Sequence, residues 1–105
     1  MTNEQFVKLK FKLAEELDEY KKEMLEKTKS EIYDSCFEIS SMERIHQYLI
    51  SKGRNYKYDY MPKKNICKFY YECLNKMGFE LTNENLDDVI SFEIYKAKRD
   101  SGSEM

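Results

Sequence analysis

The stretch KGRNYKYDYMPKK, residues 52–64, divides the chain into two helical halves. It contains the only proline of the chain, Pro62, and one of its three glycines, Gly53. A glycine at the end of a helix can adopt a positive φ, and a proline fixes φ at the first position of a new helix. We therefore predict that one half ends at residue 52, that a basic, tyrosine-rich segment spans residues 53–61, and that the second half begins at Pro62.

A long amphipathic helix is predicted at the start of the first half, from Asn3 to about Lys27. Its apolar residues recur at steps of three and four, as on one face of a helix: Phe6, Leu9, Leu13, Leu17, Tyr20 and Met24. A second apolar stripe lies beside the first: Val7, Phe11, Ala14 and Leu25. Two interpretations follow from this surplus of apolar surface. The helix is internal and lies between two others, or the second stripe contacts a partner, a second copy of the chain included.

Capping residues predict where the other helices begin and end. Thr28 and Glu31 have the spacing of a capping box, and so do Ser40 and Glu43, although the helices that they begin can also form one kinked helix. In the second half, Gly78 is expected to end the helix that begins at Pro62. A turn with an N-cap at residues 81–83 then begins the last helix.

These elements predict an all-α fold, a single-domain bundle of four to five helices with a long N-terminal amphipathic helix. We expect one domain over residues 1–98, with halves 3–52 and 62–98, and a disordered tail over residues 99–105. The first helix should pack against both halves. The predicted core contains Leu9, Leu13, Leu17, Ile32, Cys36, Leu49, Ile66, Phe69, Cys73, Leu86 and Ile90.

The composition argues against several classes of function. Eighteen basic residues are balanced by 20 acidic ones, so the chain has no overall charge that would attract nucleic acid or a membrane. No apolar run is long enough for a membrane span or a signal peptide, and we expect a cytoplasmic protein of a bacterial host. The three cysteines form no CxxC pair and are predicted to be buried, reduced thiols.

Catalytic and metal-binding patterns are scarce. The chain has one histidine, no glycine-rich phosphate loop and no nucleophile within a known motif. Glu43 and His46 have the spacing of half a two-metal carboxylate site, but a complete site would need further glutamates and a second copy of the motif. We therefore predict no enzyme, no metal and no cofactor. Glu93 interrupts the last apolar stripe and is expected at its rim, since a buried carboxylate needs a cation or a proton.

Two groups of residues are candidate binding sites. The basic segment presents lysines for phosphates and tyrosines for stacking on bases: Arg54, Tyr56, Lys57, Tyr58, Tyr60, Lys63 and Lys64. The first helix presents Phe11 beside an acidic run that includes Glu15 and Glu19, and such a surface can occupy a basic channel in place of nucleic acid.

Three motifs carry a resemblance to a known family. They are the acidic first helix with Tyr20, the pair EIY (31–33) and FEI (37–39), and the closing LTNE (81–84). In these motifs the chain resembles an uncharacterised family of small helical proteins from low-GC gut bacteria and their phages and mobile elements. The resemblance implies a phage or prophage context, in which short proteins often bind and disable a host machine, CRISPR nucleases included. It implies no catalytic residue.

The expected function is therefore that of a non-enzymatic, protein-binding protein. Its most specific form is an inhibitor of a host nuclease of the anti-CRISPR type, whose partner is a CRISPR effector nuclease. The alternative is a nucleic-acid-binding module that uses the basic, tyrosine-rich residues 52–68.

Overall fold

A computed structural model describes residues 1–100 and confirms the all-α fold. This part of the chain contains five α-helices and no strand. The helices are α1 (Asn3–Leu25), α2 (Lys29–Asp34), α3 (Cys36–Lys52), α4 (Ile66–Met77) and α5 (Asn83–Lys98). Within residues 1–100, every helix is too short or too polar to cross a membrane.

The expected tail over residues 99–105 lies largely outside the described residues. Arg99 and Asp100 are described, and they continue from α5 as a turn of π-helix. Helix α5 itself ends at Lys98, and residues 101–105 lie outside the part of the chain that the structure describes.

Capping boxes begin α1 and α2. At Thr28, the backbone amide donates to Glu31 Oε1 over 3.0 Å and the Glu31 amide donates to the Thr28 hydroxyl over 3.2 Å, as predicted. Thr2 and Gln5 form an equivalent pair at the start of α1. The second predicted box, Ser40 to Glu43, is wrong, because α3 runs through it. The helix breaks instead at Ser35, a single residue between α2 and α3.

One core joins four of the helices. Helix α3 packs against α1 and α4, and α4 packs against α5. Of the predicted core residues, six are buried: Leu9, Leu13, Leu49, Ile66, Leu86 and Ile90. Leu17, Ile32 and Cys73 are only half-buried, and Cys36 is exposed. Phe69 is also wrong, with 38% of its surface exposed, because α4 turns Ile66, Cys67, Tyr70 and Leu74 inward instead.

Gly53 serves close packing, and its predicted positive φ is wrong. Its φ is −59°, an ordinary helical value. A Cβ atom at this position would lie 3.0 Å from Leu9 Cδ2 and 3.6 Å from Phe6 Cε1, so the missing side chain lets α1 approach the end of α3. Gly78 ends α4, as predicted, in the left-handed conformation, with φ 69°, and the Phe79 amide closes the turn on the Leu74 carbonyl over 3.0 Å.

The start of the second half lies four residues beyond the prediction. Pro62 lies in the connecting segment, residues 53–65, and α4 begins at Ile66. Asn65 precedes it in the left-handed region, with φ 52°. The carboxylate of Glu16 on α1 accepts hydrogen bonds from the amides of Asn65, over 2.5 Å, and Ile66, over 2.9 Å. A negative charge is favourable at a helix N-terminus, so α1 itself caps α4 and thereby contacts both halves.

Candidate partner-binding surfaces

The outer face of α1 carries an apolar stripe that the rest of the chain does not cover. Val7 is 46% exposed and Phe11 73% exposed, and Ala14 is exposed beside them. We call these three residues the outer stripe. Because Leu9 and Leu13 bury the opposite face completely, α1 is a surface helix. The interpretation of α1 as an internal helix is therefore wrong.

Acidic side chains border the outer stripe. Glu15 and Glu19 are both exposed, and neither forms an ion pair within residues 1–100. Glu16, one residue away, differs because its carboxylate caps α4. The acidic run of the sequence therefore contains one structural carboxylate, and at least two carboxylates that are open to a basic partner.

A cavity of about 300 Å³ lies between α1, α3 and α4, on the side of Glu19. Its lining combines apolar and acidic side chains: Leu17, Tyr20, Met24, Met42, Glu19, Glu23 and Glu38. Burial, followed by the charge of Glu38, raises the pKa of Tyr20, so its phenol stays protonated at neutral pH. The cavity thus places a mostly acidic lining, which also includes Lys27 and Lys68, at the end of α1 that carries Glu19.

Tyr56 is not the exposed stacking ring that the sequence suggested. The residue is only 7% exposed. Its hydroxyl donates to Asp87 Oδ1 over 2.6 Å and lies 2.5 Å from the Tyr48 hydroxyl. Burial and these two hydrogen bonds raise the pKa of Tyr56. The side chain therefore fastens the connecting segment to α3 and α5.

The other candidates of the basic segment stay closer to the surface. Tyr58 and Tyr60 are half-buried, and the Lys63 ammonium lies 5.1 Å from the centre of the Tyr58 ring. The Arg54 guanidinium lies 4.9 Å from the centre of the Phe6 ring. Lys57 and Lys64 are exposed. The segment thus presents cations and two partly covered rings, in place of the three free rings that the sequence suggested.

A second apolar surface escaped the sequence reasoning. Phe37 is 71% exposed and Phe79 44% exposed, and both line a groove of about 230 Å³ over Tyr71, Leu74 and Leu81. The buried stripe of α3 runs through Leu49, Ile45 and Met42, and three to four residues further back it reaches Glu38 and Ile39. Phe37 therefore lies beside that stripe, a signal that the spacing alone contains.

The cysteines and Glu93 are placed for packing and pairing. Burial raises the pKa of Cys67 to about 12, and burial with the nearby Glu93 raises that of Cys73 to about 11, so neither thiol is activated. The prediction of burial is wrong for Cys36, which is exposed. Glu93 is a half-buried residue at the rim, where its carboxylate lies 3.3 Å from the Lys96 ammonium.

The spacing of Glu43 and His46 does not produce a metal site. The Glu43 carboxylate lies 3.2 Å from the Lys21 ammonium, and both ring nitrogens of His46 are buried without a hydrogen-bond partner among the described residues. Burial, followed by the charge of Lys21, lowers the pKa of His46. Across residues 1–100, no group of three or more His, Cys, Asp and Glu side chains is arranged to hold a metal ion.

Comparisons with known proteins find no relative. The chain matches no protein-family model, and no curated protein and no solved structure is significantly similar to it. No residue therefore takes its role from another protein.

Proposed function

We propose that the protein acts without catalysis, by binding another protein through the outer face of α1. The observation that carries this proposal is Phe11, a large apolar side chain that is 73% exposed in the middle of the outer stripe. Aromatic side chains at the centre of an apolar patch are frequent anchors of protein interfaces. The acidic residues Glu15 and Glu19 beside it favour a partner whose own surface is basic.

In its most specific form, the proposal is that the partner is a host nuclease, a CRISPR effector included, and that the protein inhibits it in the bacterial cytoplasm. A nuclease has a basic channel for nucleic acid, and an apolar stripe with an acidic border is complementary to such a channel. The choice of a nuclease also draws on the resemblance to small proteins of phages and mobile elements.

Affinity capture with two matched variants tests this proposal. The tagged protein is incubated with lysates of low-GC bacteria that contain or lack CRISPR systems. We expect a stoichiometric partner with the unmodified protein and with Tyr95→Asp, which changes an aromatic residue of α5 that is 61% exposed. We expect Phe11→Asp to lose that partner.

The identity of the captured protein and its activity separate the general from the specific form. Inhibition would be supported by recovery of a nuclease whose cleavage of DNA is blocked by the unmodified protein and is not blocked by Phe11→Asp. Recovery of another protein would support binding and refute the choice of a nuclease. Absence of any stoichiometric partner, or equal capture by Phe11→Asp, would refute the use of α1.

A second candidate function is the binding of single-stranded nucleic acid by residues 52–68. The exposed cations Lys57, Lys63 and Lys64 next to Tyr58 and Tyr60 favour it. A titration with a labelled 20-mer at low and high salt tests it, because cation contacts to phosphates lose affinity as salt rises. If this candidate is correct, Lys57→Ala/Lys63→Ala/Lys64→Ala and Tyr58→Ala/Tyr60→Ala each weaken binding. Unchanged binding by both variants would exclude the segment.

A further inference from the structure

One flank of the outer stripe has an unusual order of charges. From the N-terminus it reads Glu4, Lys8, Lys12, Glu15, Glu19 and Lys22. At 100° per residue these positions span a sector of about 80° on α1, which begins beside Phe11 and extends towards the buried face as far as the half-buried Lys12. Their signs are minus, plus, plus, minus, minus, plus. Reading the flank backwards therefore inverts the sign at every position, so the flank is complementary to a copy of itself that runs in the opposite direction.

We propose that two copies of the chain associate through their α1 outer faces, antiparallel, with the twofold axis between residues 13 and 14. In this register Lys8 faces Glu19 of the second copy, and Lys12 faces Glu15 of the second copy. At the ends of the flank the positions match less closely, because Glu4 lies opposite Glu23 of the second copy and one residue away from its Lys22. Because a twofold axis repeats each contact, the two central pairs become four.

The apolar stripe is compatible with the same register. In antiparallel helix pairs, a side chain of one helix fits between two residues of the other that lie three or four apart. With the axis between residues 13 and 14, Phe11 fits between Ala14 and Asp18 of the second copy. Ala14, the smallest residue of the stripe, lies next to the axis, where the helices are closest. The apolar and the charged residues thus agree on one arrangement.

Only exposed contacts within the chain compete for the charged flank, and the shortest of them joins the Lys22 ammonium to the Asp18 carboxylate over 3.1 Å. Lys12, Glu15 and Glu19 form no ion pair within residues 1–100, and the contact of Lys8 with Glu4 is long, 3.9 Å, between exposed side chains. Binding an unrelated protein would require acidic or basic residues on α1, but it would not require that their order invert in sign when the flank is read backwards. The second copy is therefore the occupant that this flank fits best.

The association is expected to be weak. Each copy contributes only three apolar residues, and exposed ion pairs add little individually, so a dissociation constant on the order of 10–100 µM fits an interface smaller than that of permanent dimers. At lower concentrations the outer stripe is open to the partner of the proposed function. The dimer does not depend on that function, because purified protein alone tests it.

Sedimentation equilibrium of two charge variants and their mixture tests the register. Lys8→Glu/Lys12→Glu makes the four central flank charges negative, and Glu15→Lys/Glu19→Lys makes them positive. We expect the mass of the unmodified protein to rise from 12.7 kDa towards twice that value with concentration. Each variant alone should associate at least about tenfold more weakly than the unmodified protein, because like charges then face each other. An equimolar mixture should dimerise again, because each facing pair is then of opposite sign.

The double variant Glu72→Lys/Asp88→Lys is the matched control for Glu15→Lys/Glu19→Lys, since it changes the net charge by the same amount at exposed positions of α4 and α5. This control should dimerise like the unmodified protein. The circular dichroism spectrum of every variant should match that of the unmodified protein. A monomer at all concentrations would overturn the inference. So would charge variants that dimerise normally, which would locate the contact elsewhere, or a mixture that stays monomeric, which would exclude this antiparallel register.

Discussion

Helix α1 and the connecting segment differ in how far their own residues determine their conformation. The periodicity of α1 predicts its length and its buried face, and the structure confirms Leu9 and Leu13 as fully buried. The connecting segment instead takes its conformation from contacts with distant residues. Gly53 lies against Leu9, Tyr56 donates to Asp87, and Asn65 is bound by Glu16. Local sequence rules therefore predict a helix that is defined by the spacing of its apolar residues. They fail for a segment whose conformation depends on contacts with residues distant in the sequence.

The largest effect should come from the buried face of α1. We expect Leu13→Ala to lower the free energy of unfolding by about 2–5 kcal/mol, because the side chain is fully buried and leaves a cavity. Leu17→Ala, at a half-buried position, should have a smaller effect, and Phe11→Ala on the outer stripe should stay within about 0.5 kcal/mol. Chemical denaturation measures all three. Equal losses for Leu13→Ala and Phe11→Ala would contradict the assignment of the two faces.

A second test concerns Gly53, the point where the two regions touch. Gly53→Ala should destabilise the fold by about 1–3 kcal/mol, because the new methyl group overpacks against Leu9 Cδ2. The backbone itself accepts alanine, since φ is −59°.

A double-mutant cycle separates packing from backbone strain at this position. In the background of Leu9→Ala, the methyl group of Gly53→Ala has space, so its destabilising effect should shrink or reverse. Purely additive effects on the denaturation midpoint would show that contact with α1 is not the reason for the glycine.

These contacts explain how much the sequence predicts. Local signals predict the all-α class, the length of α1, the capping box at Thr28 and the end of α4 at Gly78, and the structure confirms them. The starts of α3 and α4 do not, because an available capping box at Ser40 is unused and a carboxylate from α1 replaces the local cap of α4.

The candidate surfaces follow the same division. The exposure of Phe11 is one of two outcomes that the surplus apolar stripe predicts. The burial of Tyr56 is invisible in a run of alternating tyrosines and lysines, because its cause is an aspartate 31 residues away. The exposed Phe37 could have been found by extending the buried stripe of α3 backwards.

Removing the cap by which α1 contacts the end of the connecting segment should have an intermediate effect on stability. Glu16→Ala removes the acceptor for the amides of Asn65 and Ile66, and we expect a loss of about 1 kcal/mol, as for other caps. Glu15→Ala, on the exposed flank one residue away, serves as the control and should leave the denaturation midpoint nearly unchanged. If the two variants lose the same stability, the carboxylate of Glu16 does not act as the cap of α4.

The smallest effect concerns His46 on α3, whose buried ring lies near Lys21 of α1. Because burial and the charge of Lys21 lower the folded-state pKa of His46 below 6.5, the unfolded chain takes up the proton first as pH falls. Stability should therefore be full above pH 7 and decrease as pH falls from about 7 to 5.5, before most carboxylates titrate. His46 is the only histidine, so the denaturation midpoint of His46→Gln should be flat over this range. A midpoint that rises on acidification in the unmodified protein would show that the protonated ring gains a partner at this contact between α1 and α3. An equal slope in His46→Gln would show that another group titrates.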